Sequence, residues 1–394
     1  MSFKDIYVVG AARTAIGTFG GSLKDVPLTQ LATLTVKTAM ARAGVDPTRV
    51  GQVVMGNVIP TDTRDAYLSR VAAIEAGIPQ ETPAFNVNRL CGSGLQAMLL
   101  AAQSLQMGDA DVAIGAGAES MSRGPYLMPA ARWGQRMGDA VMTDYMLGIL
   151  HDPFHKIHMG ITAENVAAQE GITRQMQDEL AVVSQQRAAR AVAEGRFTSQ
   201  IVPVEIASRK GTISFATDEH VRGDTTVESL AKMRPAFKPD GSVTAGNASG
   251  LNDGAAALVL ATGDAVKAQG LKPLARLVSH GHAGLDPKLM GLGPVPATRI
   301  ALQRAGLQVG DIDVIEANEA FAAQACAVAK LLGFDPEKVN PNGSGISLGH
   351  PVGATGAIIA TKAIYELHRT GGRYALATMC IGGGQGIAAI FERC

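Results

Sequence analysis

The 394-residue chain carries 35 basic and 35 acidic side chains, so its formal net charge at pH 7 is zero. This balance gives no reason to expect a nucleic acid or an anionic membrane surface as a partner. No apolar run reaches the length of a membrane span, and 394 residues suffice for two or three domains with hydrophobic cores.

The four cysteines, at positions 91, 326, 380 and 394, form no C-x-x-C pair and no spacing typical of a zinc site. Reduced thiols are a better interpretation than a disulfide framework. The chain runs from Met1 almost directly into an apolar strand pattern, and its last four residues are not a peroxisomal signal. We therefore expect no signal peptide and a cytoplasmic location.

Strand patterns alternate with helix patterns through the first 118 residues. Strands are predicted at 5–10, 50–59, 83–87 and 111–116, and helices at 27–44, 68–77 and 94–107. The strand at 111–116 is apolar without alternation, as expected where both faces of a sheet are covered. This βαβ rhythm predicts a layered α/β domain.

Residues 119–249 interrupt this rhythm. Six of the 15 methionines fall between Met121 and Met159, helices are predicted at 162–169 and 173–194, and a basic, irregular stretch follows at 208–239. We interpret the segment as an insertion of loops and short helices that covers a binding site. Methionines can form an adaptable binding surface, although filling a core is their commoner use.

Beyond residue 250 the α/β rhythm resumes and the chain repeats itself. Residues 39–44 and the strand after them match 301–306 and the strand after those. Cys91, with its following helix and strand, matches His350, with a helix at 357–367 and a strand at 374–379. The repeat predicts two related α/β domains, at 1–118 plus 250–271 and at 272–394, with 119–249 inserted. Chance similarity between two βαβ units is the alternative.

Cys91 stands between an apolar strand pattern and a helix pattern that starts near Ser93, with glycines at 92 and 94. A thiol at a helix N-terminus lies near unpaired N–H groups and the positive end of the helix dipole, and both favour the thiolate. The pattern is typical of a nucleophile. A small buried residue in a tight turn is the alternative.

Three further stretches bring reactive side chains to turns in the second repeat. Residues 316–323 place Asn318 where a predicted strand ends, 342–353 hold His350 in a glycine-rich loop, and 379–386 deliver Cys380 to a triglycine turn. If a pseudo-twofold axis relates the two domains, these side chains and Cys91 converge at the interface. Each stretch alone is also compatible with ordinary loop structure, and only their combination is specific.

Together these motifs resemble those of the thiolases, the acetyl-CoA C-acyltransferases, over essentially the entire chain. The chain is similar in particular to bacterial β-ketothiolases of the polyhydroxyalkanoate-forming type. Residues 343–348 depart from the family pattern, because they read Gly-Ser-Gly-Ile-Ser-Leu where many members have Gly-Gly-Ala-Ile-Ala, and this leaves the preferred acyl chain length open. The motifs, in family order, are Ala11-Ala12-Arg13-Thr14, Asn86-Val-Asn-Arg-Leu-Cys91-Gly-Ser-Gly, Asn318-Glu-Ala-Phe-Ala, Gly349-His350-Pro and Cys380-Ile-Gly-Gly-Gly-Gln-Gly.

The resemblance implies an α/β fold of the thiolase type, with two core domains in five layers, α-β-α-β-α, and an insertion over the substrate. It implies a reversible Claisen condensation of an acyl-CoA with acetyl-CoA, through an acyl-cysteine, to a 3-oxoacyl-CoA and coenzyme A. Coenzyme A and its thioesters would be substrates, and no cofactor would be bound permanently. A homodimer or homotetramer is expected, with residues 125–145 as a candidate contact.

The same resemblance assigns the residues. Cys91 would be the acylated nucleophile, His350 its base, and Cys380 the group that deprotonates acetyl-CoA. Backbone N–H groups of Cys91 and Gly382 would hold the acyl oxyanion, whereas His350 and a water on Asn318 would stabilise the enolate oxygen. Arg222 would meet the phosphates of the ADP end. The tunnel for coenzyme A would be lined by His158, Met159, Arg222, Ser249, Met290 and Phe321.

A metal site is not expected. His151, His155 and His158 have a suggestive spacing, but Pro153 breaks the helix that i,i+4 ligation requires.

Two other functions are alternatives. A decarboxylating 3-ketoacyl synthase also uses an acylated cysteine, but typically with two histidines, whereas here Cys380 occupies the place of a deprotonating residue. A catalytically silent, thiolase-like lipid carrier is disfavoured because Cys91, His350 and Cys380 are all present.

Overall fold

Strands and helices form where the sequence patterns predict them, within a few residues at most ends. The computed structural model describes residues 4–209 and 211–394. The strands are β1 (Ile6–Arg13), β2 (Gly17–Thr18), β3 (Gln52–Gly56), β4 (Ala84–Val87), β5 (Val112–Ser120), β6 (Tyr126–Leu127), β7 (Thr143–Asp144), β8 (Val204–Ser208), β9 (Gly211–Phe215), β10 (Asn252–Thr262), β11 (Ala275–Gly284), β12 (Val314–Ala317), β13 (Tyr374–Ile381) and β14 (Gln385–Arg393). The helices are α1 (Leu28–Ala43), α2 (Leu68–Glu75), α3 (Ser93–Met107), α4 (Tyr145–Gly148), α5 (Met159–Glu170), α6 (Arg174–Ala193), α7 (Val227–Ala231), α8 (Gly263–Gln269), α9 (Pro294–Ala305), α10 (Ala322–Leu332), α11 (Gly345–Leu348) and α12 (Thr355–Thr370).

The main sheet consists of two halves with the same topology. Its order is β12-β13-β14-β11-β1-β10-β5-β3-β4, with β2 paired to β10. Within each half, counted outward from the centre, two antiparallel pairings are followed by a parallel one, and the first half has β4 as an additional parallel edge strand. The halves join where β1 runs antiparallel to β11, through the pairs Tyr7–Arg276 and Val8–Ala275. This correspondence confirms the internal repeat, whereas the predicted domain boundaries stay a prediction.

Two central helices, α3 and α12, pack against each other between the half-sheets, and α1 and α9 cover the outer faces. Gly94 is required at the crossing of α3 and α12, because a Cβ there would lie 2.7 Å from the backbone nitrogen of Ala357 and 3.1 Å from the carbonyl oxygen of Ala354. The close approach brings the N-terminal ends of the two central helices together. The layers follow the predicted α-β-α-β-α order.

A buried carboxylate ties the halves together at this crossing. Glu119, near the end of β5, accepts hydrogen bonds from the Asn57 side chain and from the backbone N–H groups of Val58, Ile59 and Gly353, at 2.8–3.0 Å. Burial raises the pKa of Glu119 to about 8, while the four donors favour its ionised form. Because Gly353 lies just before α12, the contact links the two repeats.

The insertion contains both of the helices predicted for it, as α5 and α6. Its first part is indeed mostly loop, but α6 is a 20-residue helix whose N-terminus is capped by the Thr173 hydroxyl. Arg13 of β1 anchors the insertion through a buried, bidentate ion pair with Asp218, at 2.8 and 2.9 Å. Across residues 4–209 and 211–394, no helix has the length and apolar character needed to span a membrane.

Candidate active site

A cavity of about 350 Å³ lies where the two halves of the molecule and the insertion meet. Its wall includes four of the residues predicted to be catalytic: Cys91, His350, Cys380 and Gly382. It also includes five of the positions predicted to contact coenzyme A: His158, Met159, Ser249, Met290 and Phe321. The structure thus brings together all the predicted site residues except Asn318 and Arg222.

The turn that presents Cys91 is held by local hydrogen bonds. Leu90 adopts a left-handed conformation with φ of 46°, an unusual backbone state for a residue with a branched side chain. The Asn88 carboxamide accepts a hydrogen bond from the Leu90 N–H at 2.9 Å. The Ser93 hydroxyl accepts one from the Arg89 N–H at 2.8 Å and donates one to the Leu90 carbonyl at 2.6 Å. These contacts fix the direction of the thiol.

Burial dominates the ionisation of Cys91. The backbone N–H groups of Gly382 and of Cys91 itself favour the thiolate, yet desolvation raises the pKa of the thiol to about 11. The effect of the helix terminus is therefore not sufficient to ionise the thiol, in agreement with the expectation that Cys91 needs a base. Cys91 lies two residues before α3 begins and inside an apolar wall, so a base must take its proton.

His350 is held in the tautomer that such a base requires. Its Nδ1 lies 2.6 Å from the Thr355 hydroxyl, and that hydroxyl donates its single proton to the Pro351 carbonyl at 2.9 Å. The Thr355 oxygen therefore accepts from Nδ1–H, which leaves Nε2 unprotonated. Nε2 has no hydrogen-bond partner in the described part of the chain. Burial lowers the pKa of His350 to about 4, so the ring is neutral at pH 7.

The loop before His350 is shaped by Asn252, a residue that was not among the predicted site residues. Gly349 has φ of 109°, and a Cβ at this position would lie 2.5 Å from the Asn252 side chain. The Asn252 carboxamide accepts a hydrogen bond from the His350 N–H at 2.9 Å and donates one to the Gly17 carbonyl at 3.0 Å. The loop is thus fastened to the first repeat.

Cys380 is fully buried near the end of β13. Burial, and to a lesser extent the neighbouring Cys91, raise the pKa of its thiol far above the ordinary value. A thiolate formed at such a position is a strong base. The turn after it, with Gly383 and Gly384 at positive φ, places Gly382 in the cavity wall together with Cys91.

Asn318 and Arg222 do not form part of the cavity wall. Asn318 is buried directly after β12, and neither its amide oxygen nor its amide nitrogen has a partner among residues 4–209 and 211–394. Arg222 is exposed, and its guanidinium donates to the carbonyl groups of Glu219 and Val221 at 3.2 Å. The roles assigned to both residues stay predictions.

Aromatic rings form the side of the cavity that belongs to the insertion. His158 caps α5 by accepting the Gly160 N–H at 3.0 Å, and it stacks on Phe237 with ring centroids 4.7 Å apart. Phe237 in turn meets Phe321 edge to face at 6.0 Å. Burial is the main reason that the pKa of His158 falls to about 4. Phe237 was not predicted, because nothing in its local sequence distinguishes it from a core residue.

Residues 4–209 and 211–394 contain no group of three or more His, Cys, Asp or Glu side chains that could hold a metal ion. His151 instead meets His158 edge to face, with ring centroids 5.1 Å apart.

The combined geometry is that of a thiol nucleophile with a neutral imidazole, a second thiol and two N–H donors in one apolar cavity. The N–H pair is suited to an oxyanion formed at an acyl group on Cys91. The second thiol supplies a base for a carbon acid. Acyl transfer followed by proton abstraction is the chemistry that these groups support together.

Comparisons with known proteins agree with this chemistry. Residues 6–264 match the family model described as thiolase, N-terminal domain, and residues 271–393 match that of the thiolase, C-terminal domain. The chain is 66% identical over 391 residues to the beta-ketothiolase BktB of Cupriavidus necator and 51% identical over 393 residues to an acetyl-CoA acetyltransferase of Escherichia coli, with 99% of each chain covered in both cases.

Solved structures give the same result. The crystal structure of human mitochondrial 3-ketoacyl-CoA thiolase superposes with a TM-score of 0.97 at 44% identity and 99% coverage of both chains. A second structure of that human enzyme, in complex with CoA, superposes with a TM-score of 0.96 at 44% identity and covers 99% of this chain and 98% of the other.

Proposed function

This chain belongs to the thiolase family, and we propose that the cavity at Cys91 is where it carries out the family reaction. That reaction is the reversible Claisen condensation of an acyl-CoA with acetyl-CoA to a 3-oxoacyl-CoA and CoA, so the protein is an acyltransferase. One observation carries the assignment to this cavity. Cys91, His350 and Cys380, from three separate segments, line the same small volume, and Gly382 lies in the same wall.

In the first half-reaction, Nε2 of His350 accepts the proton of Cys91 while the sulfur attacks the thioester carbonyl. The oxyanion receives hydrogen bonds from the N–H groups of Cys91 and Gly382, and CoA thiolate leaves. Loss of one such donor typically lowers the rate by about 10²–10³. The products are acyl-Cys91, a protonated His350 and CoA thiolate.

The role of Cys380 follows from the position of the protons after this half-reaction. The enolate of the second acetyl-CoA needs an N–H donor, and Nε2 of His350 is one only if it keeps the proton taken from Cys91. CoA thiolate must therefore be protonated by Cys380, which becomes the thiolate that removes the α-proton. The enolate carbon attacks acyl-Cys91, and the released sulfur recovers its proton from His350. In this scheme Asn318 holds the water that donates a second hydrogen bond to the enolate oxygen. The side-chain amide of Asn318 is available for this role, since it has no hydrogen-bond partner among the described residues.

Coenzyme A thioesters are the proposed substrates, held along the wall formed by Met159, Ser249, Met290 and Phe321. Arg222, on the exposed side of the insertion, is proposed to meet the ADP phosphates. The wall near Cys91 is strongly apolar, which favours acyl chains longer than acetyl, since each buried methylene contributes about 0.8 kcal/mol. Thiolysis rates on acetoacetyl-CoA and 3-oxohexanoyl-CoA measure this preference. The apolar residues that form the wall near Cys91 are Leu90, Met121, Leu147, Ile149, Leu150, Leu251 and Val352.

A homodimer or homotetramer is proposed as the assembly. The segment at 125–145 exposes large apolar side chains, among them Trp133 at 87% and Met137 at 91% of their full accessibility. Such a surface is typical of a protein–protein contact. Light scattering after size exclusion should give a mass of two or four chains, and replacing Trp133 and Met137 by polar residues should lower it if this segment forms a contact.

The function is tested by following thiolysis of acetoacetyl-CoA with CoA in a spectrophotometer. Wild-type protein should turn over, and Cys91→Ala should not. A well-folded wild type that is inactive on this substrate would refute the thiolase assignment and favour a lipid carrier. Condensation that proceeds only with malonyl-CoA would instead favour a decarboxylating synthase.

A further inference from the structure

Helix α6 does not line the cavity, yet its inner face carries buried polar side chains. Gln177, Asp178, Ser184 and Gln185 are all buried on this face. Buried polar groups are normally hydrogen-bonded, and an apolar residue would serve if packing alone were needed. The partners of these side chains therefore show what the helix holds. Ser184 has partners in two of the segments that carry proposed catalytic residues.

The first partner of Ser184 is Glu319, the residue after Asn318. The Ser184 hydroxyl donates to Oε2 of Glu319 at 2.6 Å, and the Asn340 amide donates to Oε1 at 2.8 Å. Glu319 is 4% exposed, so its carboxylate depends on such donors. The contact fixes the segment at 318–321, whose last two residues, Ala320 and Phe321, are in the cavity wall.

The second partner is Ser347, three residues before His350. Its hydroxyl lies 2.8 Å from that of Ser184 and 3.2 Å from the Ser344 N–H. Because the Ser184 proton goes to Glu319, the proton between the two serines comes from Ser347, whose contact with Ser184 at 2.8 Å is shorter than its contact with the Ser344 carbonyl at 3.3 Å. The direction of donation then runs from Ser344 N–H to Ser347, to Ser184 and to the Glu319 carboxylate.

This chain of hydrogen bonds depends on Ser347, which lies in the loop at 343–348, where the sequence departs from the family pattern. With the alanine that many thiolases carry at the position of Ser347, the Ser184 hydroxyl would have no hydroxyl partner in the loop. In this protein the loop that ends in His350 and the segment that carries Asn318 are both bonded to one hydroxyl.

We propose that Ser184 is a positioning residue for the reaction, which holds the Asn318 segment and the His350 loop in register from outside the cavity. The inference rests on the proposed roles of Asn318 and His350. Ser184 itself touches no reacting atom, so its effect is on the geometry of the transition state rather than on substrate affinity. Small displacements of catalytic groups lower the rate far more than they weaken binding.

The test compares Ser184→Ala with Ser279→Ala. Ser279 is a matched control, since its buried hydroxyl donates to the Ala301 carbonyl at 2.7 Å between β11 and α9. For Ser184→Ala we expect kcat of thiolysis to fall about tenfold, the equivalent of one charge-assisted hydrogen bond. KM for CoA should stay within about twofold, and Ser184→Thr should recover most of kcat because it keeps the hydroxyl.

A double variant tests whether the hydroxyls act as one chain. Ser347→Ala alone should lower kcat severalfold, and adding it to Ser184→Ala should cause no further loss. The proposal would be overturned if the kcat losses of the two single variants multiplied in the double variant. It would also be overturned if kcat in Ser184→Ala were no lower than in Ser279→Ala, and in both cases the thiolase function would stand. If Ser184→Ala does not fold, Ser347→Ala decides alone, and a wild-type kcat would refute the inference. An inactive wild type would instead refute the proposed function.

Discussion

The contact between Thr355 and His350 carries the strongest prediction about catalysis. Replacing Thr355 by valine keeps the side-chain shape of a β-branched residue in α12 and removes the acceptor for Nδ1–H, together with the hydroxyl that donates to the Pro351 carbonyl. The neutral ring is then left with a buried, unsatisfied N–H, or it moves the proton to Nε2. A ring protonated at Nε2 cannot accept the proton of Cys91.

The size of the effect follows from the geometry. The bond lost is 2.6 Å long and lies in a site where His350 is 4% exposed, so solvent does not replace it. An unsatisfied buried donor costs about 1–3 kcal/mol, and each 1.4 kcal/mol corresponds to about a factor of ten. We expect kcat to fall by about 10- to 100-fold in both half-reactions, because His350 serves in both.

The assay is single-turnover acylation of Cys91 by acetyl-CoA, followed by mass spectrometry, together with steady-state condensation. Thr361→Val is the matched control, since Thr361 is a buried residue of the same helix whose hydroxyl donates only to the Ala357 carbonyl at 2.9 Å. Thr355→Ser should retain most activity. Rates within about twofold of wild type for Thr355→Val would refute the assignment of the tautomer.

Three further changes test other parts of the site. Cys380→Ala should still show the acyl adduct by intact-mass spectrometry but lose condensation and α-proton exchange, and absence of the adduct would contradict the division of labour. Burial lowers the pKa of His350 from 6.5 to about 4, so the unfolded chain takes up the proton first and stability falls as pH drops through this range. At pH 5 this effect lowers the free energy of unfolding by about 2 kcal/mol. His350→Asn should therefore lose less unfolding free energy than wild type between pH 7 and pH 5, and equal losses would refute this prediction. Gly94→Ala would place a Cβ 2.7 Å from the Ala357 nitrogen and should destabilise the fold by about 1–3 kcal/mol in urea titrations, whereas Gly310→Ala, in open space, should be nearly neutral.

Much of the architecture could be predicted because hydrophobic periodicity and glycine positions report local structure directly. The helix ending at Gly44 and the repeat of its sequence before Gly306 both reappear, with each glycine in the left-handed conformation that ends a helix. The convergence of Cys91, His350 and Cys380 followed from the repeat, since equivalent turns of two related units face each other across a pseudo-twofold axis.

The features of the site that could not be predicted depend on contacts between residues far apart in sequence. A sequence shows that Cys91 lies near a helix terminus, which favours the thiolate, but it does not show desolvation by the opposite wall, which opposes the thiolate. Asn252 and Ser184 act through partners about 98 and 135 positions away, His350 and Glu319 respectively, and no local pattern marks such pairs. Helix α6 was predicted near its true ends, but its importance lies in its inner face.

The two halves of the sheet also explain how one cavity came to hold two unlike reactive groups. Cys91 and His350 occupy equivalent turns, each shortly before a central helix, on either side of an approximate symmetry axis. A dimer of identical half-molecules could offer this cavity only two copies of the same side chain. Joining the halves into one chain frees each turn to vary independently, so that one position can specialise in bond formation and its counterpart in proton transfer. The covalent connection between the repeats is thus a condition for the asymmetry that the chemistry needs.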